Sequence, residues 1–345
     1  MILYFVETER EEGQLFQDAF PEEDVRIVPE LIDVAEDAEV VCTFIYSQIT
    51  EEFLSGHAKL RLVVTRSGTL EHIDLVACKG RGVTVAYVPD YGGGTVAEHT
   101  FALILALSRR LRESMTGSQQ SRFSYQGTRG FDLAGKTLGL MGMGRVSRQV
   151  VPFAKAFRMR VIVWEPYPMP QELAQELAFE WVSLPELLAQ SHIISIHLRL
   201  TAATHHILNR ETIAQCRRGV RIVNTARGRL IDTEALGEAL DSGQVGGAGL
   251  DVLEDERSLR QEATHIIGEE IVRHLQSGGL DKQEPPQDRV HDLQEVMAND
   301  RLLSRSNVIF TPHVAFNSVE AVARINQITI DNIRQFLAGT PQNAL

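Results

Sequence analysis

The sequence predicts an α/β fold with two doubly wound lobes, each a parallel sheet covered by helices on both faces. Apolar runs of strand length alternate with helical segments along nearly the whole chain, which is typical of parallel sheets. A glycine turn, Gly142-Met143-Gly144, stands between an apolar run and an amphipathic helix, after residue 95. Because residues 1–95 alternate in the same way without such a turn, they are expected to form a separate lobe with a different ligand.

Composition limits the possible partners of this 345-residue chain, which is long enough for two domains. Its formal net charge of −12 and the absence of a basic block argue against nucleic-acid and membrane-surface partners. No apolar run reaches membrane-spanning length, and Met1–Val6 lacks the basic start of a signal peptide. The widely spaced Cys42, Cys78 and Cys216 match no metal or disulfide pattern, which is typical of a reducing compartment. We therefore expect a cytoplasmic protein.

The first lobe is predicted to cover residues 1–95 and 316–345, because the amphipathic helix Ser318–Leu337 is expected to return the chain to it. Its predicted strands are Ile2–Val6, Val25–Val28, Val40–Phe44, Leu60–Thr65 and Val83–Val88, and its predicted helices are Gln14–Phe20, Ile49–Leu54 and Leu75–Lys79.

A long helix, Thr95–Leu111, is predicted to lead into the second lobe, residues 96–315. It is apolar nearly all round, and Thr95 with Glu98 resembles a capping box. His99 lies within this helix. It is interpreted as a histidine bonded to a neighbouring element, with a direct role in chemistry as the alternative.

The second lobe opens with a dinucleotide-binding pattern. The strand Thr137–Met141, the glycine turn, the helix Val146–Phe157 and the strand Arg160–Trp164 end at Glu165, about 20 positions after the turn. Gly142 permits a tight turn, and Gly144 lets a pyrophosphate approach the helix N-terminus, where free N–H groups point at it. Ser147 replaces the third glycine, where only a small residue is needed. Since the carboxylate of Glu165 repels a 2′-phosphate, the pattern favours NAD over NADP.

Four further strands and four further helices are predicted in this lobe. The strands are Ile193–Leu198, Arg221–Thr225, Gly247–Val252 and Val308–Thr311, and the helices are Gln171–Leu177, Leu184–Gln190, Arg210–Cys216 and Thr233–Ser242. Arg227 follows one of these strands and Asp251 lies at the end of another, so both should face the cofactor. A surface salt bridge is the alternative for Arg227.

Two other features are less informative. His205-His206 could suggest a metal pair, but no third ligand has suitable spacing, so both are interpreted as loop or helix-start residues and no metal is expected. Residues 257–306 interrupt the alternation, with possible helices at Ile266–Leu275 and Leu293–Leu303. This insertion could be a lid, a subunit contact or plain surface.

Thr311-Pro312-His313 ends the last strand, and proline restricts the backbone just before the histidine. Hydride transfer to a carbonyl leaves negative charge on oxygen, and histidine has a suitable pKa to supply the proton there. An arginine can hold a substrate carboxylate with two bonds. A histidine, an arginine and an acid beside a nicotinamide therefore indicate 2-hydroxy acid oxidation or its reverse.

Six motifs in order carry a resemblance over nearly the whole chain to the D-isomer-specific 2-hydroxyacid dehydrogenases, and most to their D-lactate dehydrogenase-like branch. They are TRSGTLEHID at Thr65, YVPDYGGGTVAEHT at Tyr87, GLMGMGRVSRQV at Gly139, NTARGRLID at Asn224, GLDVLEDE at Gly249 and FTPHVAF at Phe310. The resemblance implies a Rossmann NAD-binding domain and a flavodoxin-like substrate domain. It also implies a homodimer.

The resemblance also implies residue roles. Arg227 would bind substrate and His313 would be the acid/base, with Glu256, five positions after Asp251, as its partner. Substrate would further meet Ser67, Gly68, Thr69 and Tyr91; the cofactor would meet Gly142, Gly144, Arg145, Val146, Glu165, Thr225, Ala226, Asp251 and His313.

The expected activity is NAD-dependent reduction of a small 2-keto acid to the D-2-hydroxy acid, or the reverse reaction. Some positions depart from the family's usual pattern, namely Gly68-Thr69 in the substrate loop and Arg199, where proline is common. These departures leave the substrate open. A glyoxylate or hydroxypyruvate reductase is one alternative, and a non-catalytic NAD(H)-sensing protein on the same fold is another.

Overall fold

The computed structural model describes residues 1–90, 92–119, 124–167, 169–254 and 298–345. The chain divides into two compact units: the first is Met1–Gly92 with Asn317–Leu345, and the second is Gly93–Phe316. Each unit has one parallel sheet, which confirms the predicted fold class.

The first unit has a five-stranded sheet in the order β2-β1-β3-β4-β5. The strands are β1 (Ile2–Val6), β2 (Asp24–Val28), β3 (Val40–Thr43), β4 (Leu62–Thr65) and β5 (Thr84–Tyr87). The helices are α1 (Arg10–Ala19), α2 (Glu51–Gly56), α3 (Leu75–Gly80) and a C-terminal helix, Val319–Leu337.

Alternating side chains of these strands fill two cores, one on each face of the sheet. On one face Phe5 stacks on Phe16 of α1, with ring centroids 4.2 Å apart, and Ile333 of the C-terminal helix joins the same cluster. Tyr4 and Val6 face the opposite cluster. The period-two alternation therefore buries both faces, as a doubly wound sheet requires.

The second unit has a seven-stranded parallel sheet in the order β12-β11-β10-β9-β6-β7-β8. Its strands are β6 (Thr137–Met141), β7 (Arg160–Trp164), β8 (Glu180–Trp181), β9 (Ile193–Ile196), β10 (Val220–Asn224), β11 (Val245–Leu250) and β12 (Val308–Phe310). Its helices are α4 (Gly93–Ser108), α5 (Leu111–Gln119), α6 (Arg145–Ala156), α7 (Glu172–Leu177), α8 (Leu184–Gln190), α9 (Arg210–Ala214) and α10 (Thr233–Asp241). The strand order reverses between β6 and β9, which is where such sheets bind ligands.

The carboxyl ends of five neighbouring strands lie in one row. Register pairs join Met141 to Ile196, Ile196 to Asn224, Asn224 to Leu250, and Leu250 to Phe310. The segments that follow these strands therefore emerge side by side at one edge of the sheet.

The long helix differs from its prediction. It begins at Gly93, so Thr95 lies inside it and does not cap it, and it ends at Ser108 because Arg110 adopts a left-handed conformation (φ 49°). The chain returns closely against this end: the Phe131 N–H donates to the Ser108 carbonyl at 2.8 Å. A second helix, α5, then starts at Leu111.

Part of the predicted insertion lies outside the described residues, including the helix predicted at Ile266–Leu275. Residues 298–303, the end of the second predicted helix, are helical. Among the described residues, no helix combines the length and apolar character needed to cross a bilayer.

Candidate active site

The glycine turn after β6 forms an open cradle. Gly142 has a φ of +99°, and a Cβ there would lie 2.8 Å from the His197 carbonyl oxygen. A Cβ on Gly144, which begins α6, would meet nothing within 4 Å. Within the described part of the chain no side chain caps α6 at Gly144, so its first N–H groups face this open space. The arrangement fits a pyrophosphate.

Ser147 takes the place of the third glycine without loosening the turn. It is fully buried, and its hydroxyl donates to the Gly142 carbonyl oxygen at 2.7 Å. A small polar side chain therefore ties the first turn of α6 back to the strand end.

Glu165 lies beside the same turn. Its Oε2 accepts a hydrogen bond from the Met143 N–H at 2.8 Å, and the residue is half-buried. Arg160, on the strand that precedes Glu165, is the nearby cation that could otherwise accommodate a 2′-phosphate. It pairs with Glu180 at 2.5 Å and donates to Gln190 at 2.9 Å. The guanidinium is therefore engaged at the β7–β8 side, and the site beside the turn carries a carboxylate, as an NAD ribose requires.

Arg227 stands on a turn that Asn224 holds. The buried Asn224 side chain accepts from the Ala226 N–H at 3.0 Å and donates to the Arg227 carbonyl at 2.8 Å. The hydroxyls of Thr225 and Thr100 of α4 lie 3.0 Å apart. These bonds fix the backbone on which the half-buried Arg227 stands.

Backbone packing also restricts this segment. A Cβ on Gly228 would lie 1.9 Å from the Leu253 carbonyl oxygen, so only glycine fits there. The turn that carries Arg227 is thereby packed directly against the segment that follows β11.

Asp251 directly follows β11; it is buried and holds the segment that carries His313. Its Oδ1 accepts from the Thr311 hydroxyl at 2.6 Å and from the Val314 N–H at 3.0 Å, and its Oδ2 accepts from the Ala315 N–H at 2.9 Å. The Asp251 carbonyl also accepts from the His313 N–H at 2.8 Å. The carboxylate therefore holds the backbone of the histidine segment at the carboxyl end of β11.

The pKa of Asp251 is consistent with its role as an acceptor of several hydrogen bonds. Burial alone would raise the pKa of Asp251, but hydrogen bonds from His99, Thr311 and two backbone N–H groups outweigh it and lower the pKa below its usual value. Asp251 is therefore ionised at neutral pH and can hold several donors at once.

His99 is bonded to a neighbouring element, as its preferred interpretation held. Its Nε2 lies 2.9 Å from the Thr311 hydroxyl and 3.4 Å from Oδ1 of Asp251. Since the Thr311 hydroxyl donates to Asp251, it accepts from His99, which assigns the His99 proton to Nε2. This chain of bonds links α4 to the histidine segment.

The predicted substrate loop belongs to the first unit. Ser67 is buried, and its Oγ accepts from the Thr69 N–H at 3.2 Å and donates to the Thr69 carbonyl at 2.9 Å. Gly68 is exposed at the tip. The loop is thus closed on itself with its glycine outward. Tyr91 and Glu256 lie outside the described residues.

The paired histidines have a third potential ligand. Nε2 of His206 lies 2.5 Å from Oε1 of Glu254, and the ligand atoms of His205, His206 and Glu254 lie within 4.8 Å of one another. Sequence spacing did not reveal Glu254, because it is 48 positions from His206.

The sequence analysis assigned no structural role to Asn224 or Thr311, which hold the Arg227 and His313 segments. Both could have been found as polar residues at strand ends.

Comparison with known proteins identifies the family. The model of the D-isomer specific 2-hydroxyacid dehydrogenase NAD-binding domain matches residues 101–315. This chain belongs to the D-isomer specific 2-hydroxyacid dehydrogenases. The resemblance seen in the sequence is thereby confirmed, and this dehydrogenase is an NAD-dependent oxidoreductase acting on CH–OH groups.

Several relatives extend along most of this dehydrogenase. The D-lactate dehydrogenase of Escherichia coli is 33% identical over 88% of the chain and 85% of its own length. A hydroxypyruvate reductase of Thermotoga maritima is 32% identical over 88% of the chain and 86% of its own length. A structure of D-lactate dehydrogenase from Aquifex aeolicus, complexed with NAD and lactic acid, is 32% identical. It superposes with a TM-score of 0.81, covering 98% of this chain and 96% of that one.

Proposed function

We propose that this dehydrogenase interconverts a small 2-keto acid of the pyruvate type and its D-2-hydroxy acid, in the manner of a D-lactate dehydrogenase. The proposal rests on one observation, that the carboxyl ends of neighbouring strands lie in one row at the same edge of the sheet. Arg227 follows β10, His313 follows β12, and Asp251 directly follows β11, the strand between them. Neighbouring strands are about 4.8 Å apart, so the two segments start about 10 Å from each other.

The chain's own residues supply substrate binding and proton transfer. The guanidinium of Arg227 binds the substrate carboxylate through two parallel bonds and polarises the adjacent carbonyl. The imidazole of His313 donates a proton to the developing alkoxide in reduction and accepts it in oxidation. Glu256 is assigned as the carboxylate that favours the protonated imidazole. Bound NAD(H) supplies or accepts the hydride.

Cofactor binding is assigned to the glycine turn with Arg145 and Val146, to Glu165, and to Thr225, Ala226, Asp251 and His313 near the strand ends. The fit rests on the open space at Gly144 and on the carboxylate beside Met143. We expect a fluorescence titration to give tighter binding of NADH than of NADPH, because Glu165 repels a 2′-phosphate. Tighter binding of NADPH would contradict the assignment.

The first unit is assigned as the substrate domain. In its loop Ser67–Thr69 the Thr69 N–H is bonded to Oγ of Ser67, so the Gly68 N–H is assigned to the substrate carboxylate. Tyr91 is assigned a role in substrate binding. The support is the closed loop geometry at Ser67. The assignment gives Gly68 and Thr69 a part in selecting the side chain of the keto acid.

The deciding experiment follows loss of NADH absorbance with a panel of pyruvate, glyoxylate, hydroxypyruvate and branched 2-keto acids. The proposal expects the highest kcat/KM with pyruvate or a close homologue. Preference for glyoxylate or hydroxypyruvate would favour the alternative suggested by the Thermotoga relative. NADH binding without turnover of any keto acid would favour an NAD(H) sensor.

We also propose a cytoplasmic homodimer. The described cysteines are free, and burial raises the pKa of Cys42 and of Cys216 to about 12, as suits unreactive thiols in a reducing compartment, which supports the location. The dimer is what the family resemblance implies. Light scattering coupled to size-exclusion chromatography tests the dimer. A monomer mass at micromolar concentration would contradict it.

A further inference from the structure

A second cluster of functional groups lies behind the segment that carries Arg227. It consists of His205, His206 and Glu254, whose ligand atoms are all within 4.8 Å of one another. The two imidazole rings are stacked, with centroids 4.0 Å apart and 28° between planes. None of the three residues has a part in the proposed reaction, so the cluster needs a separate explanation.

Glu254 is held in place from two sides. Its Oε2 accepts from the Thr233 N–H at 3.1 Å, at the first position of α10. Its backbone carbonyl accepts from the side chain of Asn299 at 2.8 Å. The carboxylate therefore has one oxygen anchored, while Oε1 points at His206.

His206 is held in a conformation that is uncommon for its residue type. Its φ is 49°, and its N–H donates to the Arg229 carbonyl at 2.9 Å. Such left-handed residues cost free energy and are enriched at functional sites. His205 is exposed, so its ring can turn toward the other two without displacing the core.

We propose that His205, His206 and Glu254 form a binding site for one divalent transition-metal ion, with zinc as the best match. Two imidazoles and one carboxylate are the ligands that zinc takes in sites with open positions, whereas magnesium and calcium require mostly oxygen. The anchored Oε2 of Glu254 supplies the outer hydrogen bond that orients a carboxylate ligand.

Binding requires the exposed ring of His205 to rotate out of its stack on His206, because an imidazole binds a metal through a lone pair in the plane of its ring. Ligands of a tetrahedral zinc lie about 3.4 Å apart when each bond is about 2.1 Å long. The pair His206–Glu254, at 2.5 Å, must therefore open by about 1 Å, and His205 must close in from within 4.8 Å. A bound ion would join the loop before α9, the Arg227 segment through Arg229, and the segment after β11.

Isothermal titration calorimetry with zinc chloride tests the site on the tag-free, chelator-treated full chain at pH 7.5. We expect one zinc per chain with a Kd below about 100 μM. His205→Ala, an exposed change, should weaken that site at least about tenfold. His206→Asn and Glu254→Gln should do the same, because asparagine tolerates the left-handed backbone and glutamine keeps the bond to Thr233.

His192→Asn is the matched control, since His192 accepts from the Thr137 N–H through Nδ1 and an asparagine oxygen can replace it. It should leave zinc binding unchanged. Anomalous diffraction at the zinc edge should give a peak among the three side chains. The proposal is overturned if no zinc-binding site saturates by 100 μM, if the three variants bind zinc as the wild type does, or if the peak lies elsewhere only.

Discussion

The buried carboxylate of Asp251 and the backbone around His313 form one rigid unit. The Asp251 carbonyl accepts from the His313 N–H at 2.8 Å, and its carboxylate accepts from the next two N–H groups, of Val314 and Ala315. His313 takes a φ of 55°, which needs support for a residue that is not glycine. The sheet thereby fixes the backbone position of the proposed acid/base.

Asp251→Asn should release this segment. An amide places an N–H₂ group against a backbone N–H donor, and a buried donor left unpaired costs about 1–3 kcal/mol. Hydrogen exchange of the His313, Val314 and Ala315 amides should accelerate at least tenfold, and kcat should fall. Asp241→Asn, at an exposed ion pair with Arg305, is the control. Equal protection of these amides in both variants would show that the carboxylate does not hold the segment.

Removing the proposed acid/base should abolish most of the turnover. His313→Asn keeps a residue that tolerates positive φ, so the backbone is preserved while the proton donor is lost. We expect kcat to fall by about a hundredfold or more, whereas the Kd for NADH should rise far less, because the glycine turn and Glu165 are untouched. His192→Asn should keep full kcat. A normal rate in the His313 variant would mean that another group transfers the proton.

Substrate binding should depend more on the two-pronged geometry of the Arg227 guanidinium than on its positive charge. Arg227→Lys keeps the positive charge but cannot make two parallel bonds, and a charged hydrogen bond contributes about 1.5–3 kcal/mol. The KM for the keto acid should therefore rise roughly 10- to 100-fold in steady-state kinetics. Arg229→Lys, at the exposed position two residues on, should leave KM unchanged. Equal KM values for wild type and Arg227→Lys would contradict the proposal that Arg227 binds the substrate carboxylate through two bonds.

Strands flanked by clear turn signals were predictable to the residue. β6 and β7 match their predicted bounds, because each is a short apolar run and the glycine turn follows β6 directly. The break between α4 and α5 was not predictable from periodicity. It depends on a left-handed arginine and on the return of Phe131 to the helix end, which is a tertiary contact.

Two sets of side-chain contacts could not be predicted from the sequence, because they join residues far apart in the chain. The motif positions of Arg227 and His313 were visible, but the orientation of Asp251 depends on donors some 60 positions away in Thr311, Val314 and Ala315. The contact of Glu254 with His206 likewise joins residues 48 positions apart. Such contacts follow from strand order in the sheet, which local patterns do not contain.

A substitution in the glycine turn should weaken cofactor binding without a large change in the free energy of unfolding. A Cβ on Gly144 meets nothing within 4 Å and its φ is −78°, so Gly144→Ala should change the free energy of unfolding by less than about 1 kcal/mol. The methyl group occupies the space assigned to the pyrophosphate, so the Kd for NADH should rise at least about tenfold by fluorescence titration.

Gly142→Ala is the contrasting variant. With a φ of +99° and a Cβ 2.8 Å from the His197 carbonyl, it should lose stability as well as NADH affinity. Unchanged NADH affinity in Gly144→Ala would mean that the pyrophosphate binds elsewhere.

His197 should make the second unit sensitive to mild acid. Burial lowers the pKa of its imidazole to about 3, against 6.5 in its ordinary state. Between these values the unfolded chain binds a proton that the folded chain does not, so stability is full above pH 6.5 and is lost as the pH falls below it. From pH 7.5 to 5.5 the loss is about 1 kcal/mol for this half-buried ring.

The measurement is urea unfolding followed by tryptophan fluorescence, because Trp164 and Trp181 are the chain's two tryptophans and both lie in the second unit. His197→Asn removes the titrating ring and keeps a hydrogen-bonding partner for Ser195, whose Oγ lies 2.9 Å from Nε2 of His197. The free energy of unfolding should fall by about 1 kcal/mol more in the wild type than in the variant between pH 7.5 and 5.5. Parallel pH dependences in the two proteins would show that His197 takes up a proton equally in the folded and unfolded states.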